Sequence, residues 1–375
     1  DGYAGYALLL ERNPTGTNIG VLVGHGTARL AAMGLENRAP TGAEMAAMKS
    51  IVSEGLEAGA LGLSSGLVYD PGRFASTGEL VELATLLRGT GALYATHMRD
   101  ESSGLLDSVR EAIEIGEKAG VAVQISHHKA SGRSAWGLVR ESLKLIEAAQ
   151  RRGLDVHADQ YPYTAGSTIL AAVYRDGKLR GVLGDLGPED IVIASTARHP
   201  EWEGESMAGL AAAMACSPEE AAARILAEDS GVTVVLHAMS EEDVRTVMRH
   251  PSTMIGSDGI PTLEGKPHPR LYGTFARVLG RYSREEGLYP LAEAVHRMTG
   301  FAAAKFGLRD RGVVKEGACA DLVLFDPQRI IDRGTFEEPH RPPEGIEAVY
   351  VNGVKAIAGG RPTGARVGRV LRRGN

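Results

Sequence analysis

Cysteine is scarce in this sequence, which has only Cys216 and Cys319 among its 375 residues. Two cysteines cannot form the disulfide framework of a small secreted protein, so we expect a reducing compartment and a cytoplasmic location. Cys216 precedes a Ser-Pro pair that is typical of a helix start, and we expect it to be structural.

Long apolar runs and basic blocks are also missing. No apolar run reaches the roughly 18 residues that a membrane-spanning helix needs. The net charge is −6, which argues against a nucleic-acid or anionic-membrane partner. With 43% hydrophobic residues the chain is too apolar to be disordered, and its length suffices for one large domain, with or without a small one.

Segments typical of strands and helices alternate along most of the chain, at roughly one pair per 25 to 35 residues. The predicted strands are residues 18–23, 59–66, 92–97, 121–127, 155–159, 231–236 and 253–256. They are nearly continuous apolar runs separated by predicted helices, for example at 105–119 and 135–152, so we expect parallel strands covered on both faces. This α/β pattern favours a (β/α)8 barrel over a doubly wound sheet, and no Gly-x-Gly-x-x-Gly turn follows a strand.

Two stretches depart from this alternation. Residues 171–230 contain an alanine-rich helix, and we expect them to form an insertion on the barrel. From residue 312 the chain has short strands and an Asn352-Gly353 hairpin signal. We therefore predict a barrel over 1–311 and the C-terminal part of a small β domain over 312–375.

Histidine and aspartate side chains follow several predicted strands, at the ends where barrel enzymes place their active sites. They are His97, the adjacent pair His127 and His128, His157, His237 and Asp258. A single histidine at such a position is more often structural, but several at equivalent strand ends favour a metal site. His127 and His128 point to opposite faces of a strand, so only one of them can face the barrel mouth. Asp258 is equally compatible with an Asp-Gly turn.

Basic residues near these strand ends allow two interpretations. Arg99, Lys129 and Arg270 are either solvated charges or groups that bind a substrate carboxylate, for which arginine is the better bidentate clamp. A preference for acidic substrates would need a further cation, which Arg175 or Arg198 could supply, although a solvated surface arginine is the more common case.

Motifs in sequence order resemble those of the D-aminoacylase branch of the amidohydrolase superfamily. They are YATHMRDE at 94–101, QISHHK at 124–129, DQYPY at 159–163, IGSDG at 255–259, PHPRLYGTF at 267–275, GACADLVLFD at 317–326 and VNG at 351–353. The resemblance extends over essentially the whole chain, which makes it far more specific than any single motif.

This resemblance implies a zinc-dependent deacylase that acts on N-acyl-D-amino acids. The implied fold is a distorted (β/α)8 barrel of the metal-dependent hydrolase type with a small β-sandwich domain. By motif position, His97 and His127 resemble zinc ligands, and Asp258 resembles the catalytic acid/base. The positions that resemble substrate-binding residues are Tyr69, Lys129, Tyr161, Ser167 and Arg270.

The sequence departs from this family pattern at its beginning. The family begins with its own β strands, a barrel strand with a His-x-His motif and a cysteine that binds zinc, and none of these is found after Asp1. We therefore expect two clear zinc ligands of three, a barrel without its opening strands, and low activity of this polypeptide by itself.

Two other functions stay open. A cyclic amidase such as a dihydroorotase or hydantoinase would use the same metal chemistry, although the Tyr-Pro-Tyr and His-Pro-Arg motifs match the deacylases better. A non-catalytic barrel that binds amino-acid-like ligands is the third hypothesis. In each case the expected partner is a small molecule, and neither the acyl group nor the oligomeric state can be predicted.

Overall fold

The computed structural model describes residues 2–179 and 185–374. Its strands are β1 Ile19–Gly20, β2 Val23–Gly24, β3 Gly62–Gly66, β4 Leu93–His97, β5 Val123–Ile125, β6 Val156–Gln160, β7 Gly166–Ile169, β8 Tyr174–Arg175, β9 Lys178–Leu179, β10 Ile191–Ser195, β11 Thr233–Leu236, β12 Thr253–Ile255, β13 Leu322–Phe325, β14 Ile346–Val351, β15 Val354–Ala358, β16 Arg361–Pro362 and β17 Val370–Leu371. Its α-helices are α1 Gly2–Arg12, α2 His25–Met33, α3 Gly42–Glu57, α4 Thr77–Ala84, α5 Leu105–Ala119, α6 Val139–Arg151, α7 Leu170–Val173, α8 Met207–Ala213, α9 Pro218–Glu228, α10 Glu241–Arg249, α11 Arg270–Arg277, α12 Leu291–Arg297 and α13 Gly300–Lys305.

The largest sheet has six strands in the order β12-β6-β5-β4-β3-β2, and every neighbouring pair is parallel. The parallel pairing that the alternation predicts is therefore confirmed for these strands. The β3–β4 pair depends on a glycine, because a Cβ atom at Gly62 would lie 2.1 Å from the carbonyl oxygen of Leu93. The carboxyl ends of all six strands lie along one edge of the sheet.

Helix α5 shows why these segments fold as they do. Leu105, Val109 and Ala112 recur at helical spacing and are buried against the sheet. The helix ends where Gly120 adopts a left-handed conformation with φ of 69°. Its bounds match the predicted helix at 105–119.

The segment between β6 and α10 forms a separate antiparallel sheet in the order β10-β11-β7. It has its own apolar core, which includes Ile193, Met207 and Ile225. The strand predicted at 231–236 belongs to this sheet, so its assignment to the parallel alternation is wrong. An apolar run buried on both faces looks the same in sequence whichever direction its neighbours take.

The last part of the chain forms a four-stranded antiparallel sheet in the order β13-β14-β15-β16. Asn352 and Gly353 connect β14 to β15 with φ of 49° and 81°, which confirms the predicted hairpin turn. Strand β17 returns to pair in parallel with β1. Within the described residues, none of the helices is long and apolar enough to cross a membrane.

Candidate active site

Two histidines meet at the carboxyl edge of the parallel sheet. His97 is the last residue of β4, and His127 lies two residues beyond β5. The Nδ1 atom of His97 is 2.9 Å from Nε2 of His127. The second ring nitrogen of His97, Nε2, is buried without a hydrogen-bond partner in the described residues. Burial lowers the pKa of His97 to about 3, so its ring is neutral and offers a lone pair.

The neighbouring histidine has a different environment. His128 is fully buried, and its Nε2 is 2.8 Å from the Ser142 hydroxyl of helix α6. The pKa of His128 is lowered to about 4 by burial. Only one of the two adjacent histidines lines the cavity, as expected, and His128 packs against a helix. The cause is not strand alternation, because both residues lie beyond β5 and His127 has a left-handed backbone.

A carboxylate that the sequence analysis assigned no role completes the cluster. Glu101 is buried, and its Oε1 lies 3.0 Å from Nδ1 of His127 and 2.6 Å from Nζ of Lys129. Its Oε2 lies 3.8 Å from Nε2 of His97. Burial by itself would raise the pKa of Glu101, but the neighbouring charges, Lys129 first, outweigh it and hold that pKa well below its usual value. The available signal was a carboxylate four residues after a strand-end histidine.

These three side chains fit a metal ion. One ligand atom each from His97, Glu101 and His127 lies within 4.8 Å of the others. Imidazole nitrogen and carboxylate oxygen are donors that zinc accepts. A metal ion would accept lone pairs from ring nitrogens of these histidines. His97 Nδ1 faces His127 Nε2, and His97 Nε2 has no partner in the described residues.

A second group of polar residues lines the same cavity. Asp258 follows β12 and has a left-handed backbone with φ of 49°. Its Oδ2 is 2.9 Å from Nη1 of Arg270, the first residue of α11. Arg270 is buried, its Nη2 donates to the Ser167 carbonyl oxygen at 3.4 Å, and its guanidinium lies 4.4 Å above the Tyr161 ring centre. The Tyr161 hydroxyl is buried without a hydrogen-bond partner in the part of the chain that the structure describes.

The eight residues to which the family resemblance gives a role all line one cavity of about 260 Å³. They are Tyr69, His97, His127, Lys129, Tyr161, Ser167, Asp258 and Arg270. The lining also has apolar side chains, among them Leu236, Met239 and Ile260. At the rim, the Tyr69 hydroxyl is 3.0 Å from that of Thr168. The cavity lining thus combines metal-ligand atoms, cationic side chains and apolar side chains.

Two predicted strand-end histidines do not reach this cavity. His157 is the second residue of β6, where its Nδ1 is 2.9 Å from Asp155 and its ring packs on Phe301. His237 follows β11 of the antiparallel sheet and packs on Phe336. The expectation that both lie beside His97 is wrong, because the sequence shows neither where a short strand ends nor which sheet it joins.

The other candidate arginines lie outside the cavity lining. Arg99 forms an ion pair with Glu111, Arg175 hydrogen-bonds the Val68 carbonyl at the rim, and Arg198 is exposed. Cys216 packs beside the core of the antiparallel sheet, in agreement with a structural role.

The fold and the site together define a class of protein. Histidines and carboxylates at the carboxyl ends of parallel strands, above a substrate-sized cavity, are typical of barrel hydrolases that use a metal. The model of the amidohydrolase family matches residues 9–356. This chain therefore belongs to the amidohydrolase family.

Known relatives agree with this assignment. The chain is 41% identical to a D-aminoacylase of Alcaligenes xylosoxydans xylosoxydans over 373 residues, which cover 99% of this chain and 73% of the relative. It is 40% identical to an N-acyl-D-glutamate deacylase of the same organism over 364 residues, 97% of this chain and 71% of the relative. A crystal structure of N-acyl-D-glutamate deacylase from Bordetella bronchiseptica, complexed with zinc and a phosphonate inhibitor, matches with a TM-score of 0.88 and 39% identity over 99% of this chain and 75% of that chain. The predicted fold class, a distorted (β/α)8 barrel with a small β domain, and the predicted enzyme class, a metal-dependent amidohydrolase, are confirmed.

Proposed function

We propose that this chain hydrolyses the amide bond of N-acyl-D-amino acids, releasing a carboxylic acid and a free D-amino acid. The observation that carries the proposal is the arrangement of one cavity, in which metal donors, the Asp258 carboxylate and the Arg270 guanidinium surround the same space. Hydrolysis of an amide that carries a neighbouring carboxylate uses all three: a metal site, an acid/base and a cation for the carboxylate. The apolar side chains of the lining would contact an uncharged part of the substrate.

His97 and His127 would hold zinc, with Glu101 beside them. When bound, zinc supplies Lewis-acid chemistry, because it polarises a carbonyl group and lowers the pKa of water. Lys129 lies 2.6 Å from Glu101, so the carboxylate balances its charge next to the metal position.

Asp258 is the proposed acid/base. Its carboxylate accepts a proton from the attacking water and then donates it to the leaving amine. The side chain is partly exposed to the cavity, and Arg270 orients it from one side. Both proton transfers therefore take place on a carboxylate whose position is fixed by an ion pair.

The remaining residues would bind the substrate. Among the described residues, Arg270 and Lys129 are the cations that line the cavity, and they would meet the substrate carboxylate. The Tyr161 hydroxyl would donate a hydrogen bond to the substrate, since it has no partner in the described residues. Ser167 and Tyr69 line the adjacent walls.

The first experiment compares purified, zinc-loaded protein on N-acetyl-D-methionine, N-acetyl-L-methionine and hydantoin. We expect slow turnover of the D-enantiomer, in keeping with the low activity predicted for this polypeptide by itself. Turnover of the L-enantiomer should be at least about 100-fold slower still, and hydantoin should not react. Asp258→Asn is the control and should remove most turnover while the thermal midpoint is kept. Turnover of hydantoin in place of the acyl amino acid would favour a cyclic amidase, and ligand binding without turnover of any substrate would favour a non-catalytic barrel.

Two further parts of the proposal rest on sequence alone. We propose that residues 1–311 are the metallohydrolase barrel, with the insertion near 171–230, and that 312–375 belong to the small β domain. The cytoplasmic location rests on the scarcity of cysteine.

A further inference from the structure

His268 is a buried imidazole next to the cavity that has no role in the proposed reaction. It is 3% exposed, and it lies two residues before Arg270. Its Nε2 is 2.8 Å from the carbonyl oxygen of Ala165, and its Nδ1 accepts the backbone N–H of Arg270 at 3.0 Å. A carbonyl oxygen only accepts and a backbone N–H only donates, so these partners assign the hydrogen to Nε2. The ring is therefore neutral, with both nitrogens occupied.

The two partners of His268 belong to different walls of the cavity. Ala165 directly precedes β7, the strand that carries Ser167, whereas Arg270 is the first residue of α11. His268 and Ala165 are 103 residues apart in the chain. The imidazole is thus a direct hydrogen-bonded link between the strand and the helix start.

The local sequence leaves few other ways to fix this helix start. Pro267 and Pro269 flank His268 and have no backbone N–H to donate. The N–H of Arg270 is one of the first N–H groups of the helix, which have no partner within the helix itself. The imidazole satisfies it as an N-cap side chain would, although Pro269 occupies the cap position.

We propose that His268 is a positioning residue for substrate binding, which holds Arg270 in register with the Ser167 strand so that its guanidinium meets the substrate carboxylate. This inference rests on the proposed function for the identity of the substrate. The role of His268 itself is a statement about the Arg270 backbone, and it can be measured separately.

The first measurement is hydrogen exchange at the Arg270 amide in the full chain. His268→Phe keeps a flat ring but removes both hydrogen bonds, and we expect the Arg270 amide to lose its protection. His268→Asn keeps an acceptor close to the position of Nδ1, and we expect most of the protection to remain. Retained protection in His268→Phe would overturn the proposal.

The second measurement compares N-acetyl-D-methionine with its carboxamide, which lacks the negative charge. In His268→Phe we expect KM for the acid to rise about five- to tenfold, the loss of roughly one hydrogen bond, while KM for the carboxamide changes little. Because Arg270 also pairs with Asp258, kcat should fall by a smaller factor that is the same for both substrates. His237→Phe is the control, because His237 also packs on Phe336 but does not contact Arg270. It should alter neither KM nor kcat for either substrate.

The outcomes separate the two proposals. An equal rise in KM for the acid and for the carboxamide would mean that His268 is merely structural. If the unaltered protein turns over neither substrate, the proposed function fails, and the exchange result then decides the positioning role: lost protection supports it, and retained protection overturns it.

Discussion

The carboxylate of Asp159 accepts a hydrogen bond from the backbone N–H of His127 across 2.8 Å. Its other oxygen accepts from the Gln124 side chain at 2.6 Å, and partial burial of the carboxylate raises its pKa. His127 needs this support because its φ is 40°, a left-handed conformation that is uncommon for a residue with a side chain. Asp159 therefore fixes the backbone that presents the His127 ring to His97.

Replacement of Asp159 tests this relationship. Asp159→Ala leaves two buried donors unpaired, so we expect a loss of about 2–4 kcal/mol in the free energy of unfolding and a lower zinc content. Asp159→Asn keeps an oxygen for the His127 N–H. Its new NH2 group can donate to Gln124 Oε1 if the Gln124 amide flips. That oxygen has no partner in the described residues. Zinc per chain by elemental analysis and urea denaturation provide the measurements, and equal zinc content in both variants would contradict the prediction.

Glu101 gives a second prediction about the metal. Without its charge, the Lys129 ammonium would lie 2.8 Å from His127 Nδ1 and would have no ion-pair partner in the described residues. We expect Glu101→Gln to weaken zinc binding at least about tenfold, measured by competition with a chelating dye. Glu111→Gln is the control, since Glu111 is a partly buried glutamate whose partner, Arg99, lies outside the cavity lining. Unchanged zinc affinity in Glu101→Gln would remove this carboxylate from the site.

The strand-end positions could be predicted from sequence because parallel strands bring their carboxyl ends to one edge. That rule brought His97, His127 and Asp258 together, and the family motifs indicated the roles of Asp258 and Arg270. Glu101 could not be found in this way, because it lies in the loop after β4, where most carboxylates are solvated. Only the three-dimensional structure shows that it faces Lys129.

The same limits apply to the fold. The helix at 105–119 was predicted closely because its amphipathic spacing and the glycine at its end are local signals. The strand β11 was assigned to the wrong sheet because pairing direction depends on distant partners, β7 and β10. Local periodicity determines that a strand forms, and tertiary contacts determine which strand it joins.

Replacement of Tyr161 is expected to lower turnover without lowering the free energy of unfolding. Its hydroxyl is buried without a partner in the described residues, so Tyr161→Phe should leave the free energy of unfolding unchanged or raise it by up to about 1 kcal/mol. Turnover should fall about 10- to 100-fold if the hydroxyl donates to the substrate. Tyr94→Phe is the matched control: this buried hydroxyl is 2.6 Å from Ser65 Oγ and does not line the cavity, so stability should fall while turnover is kept. Retained turnover in Tyr161→Phe together with lower stability would exclude the Tyr161 hydroxyl from substrate binding.

Gly273 determines how closely helix α11, and therefore Arg270, approaches the cavity. A Cβ atom at Gly273 would lie 2.4 Å from the Tyr163 hydroxyl and 2.9 Å from Cβ of Asp332. Neither neighbour can yield easily, because Arg277 forms an ion pair with Asp332 at 2.9 Å and lies over the Tyr163 ring.

Alanine at this position has two opposing effects. It favours the helix by about 1 kcal/mol, whereas the overlap costs about 1–3 kcal/mol, and rigid neighbours place the cost at the upper end. We expect Gly273→Ala to lower the free energy of unfolding by about 1–2 kcal/mol and to raise KM for N-acetyl-D-methionine, since the helix must shift with Arg270. Gly78→Ala in α4 is the control: its Cβ would have the Ser76 Oγ as nearest neighbour at 3.7 Å, an ordinary contact, so stability should be unchanged or slightly higher. If Gly273→Ala is as stable as Gly78→Ala and keeps its KM, the close approach of α11 does not control the position of Arg270.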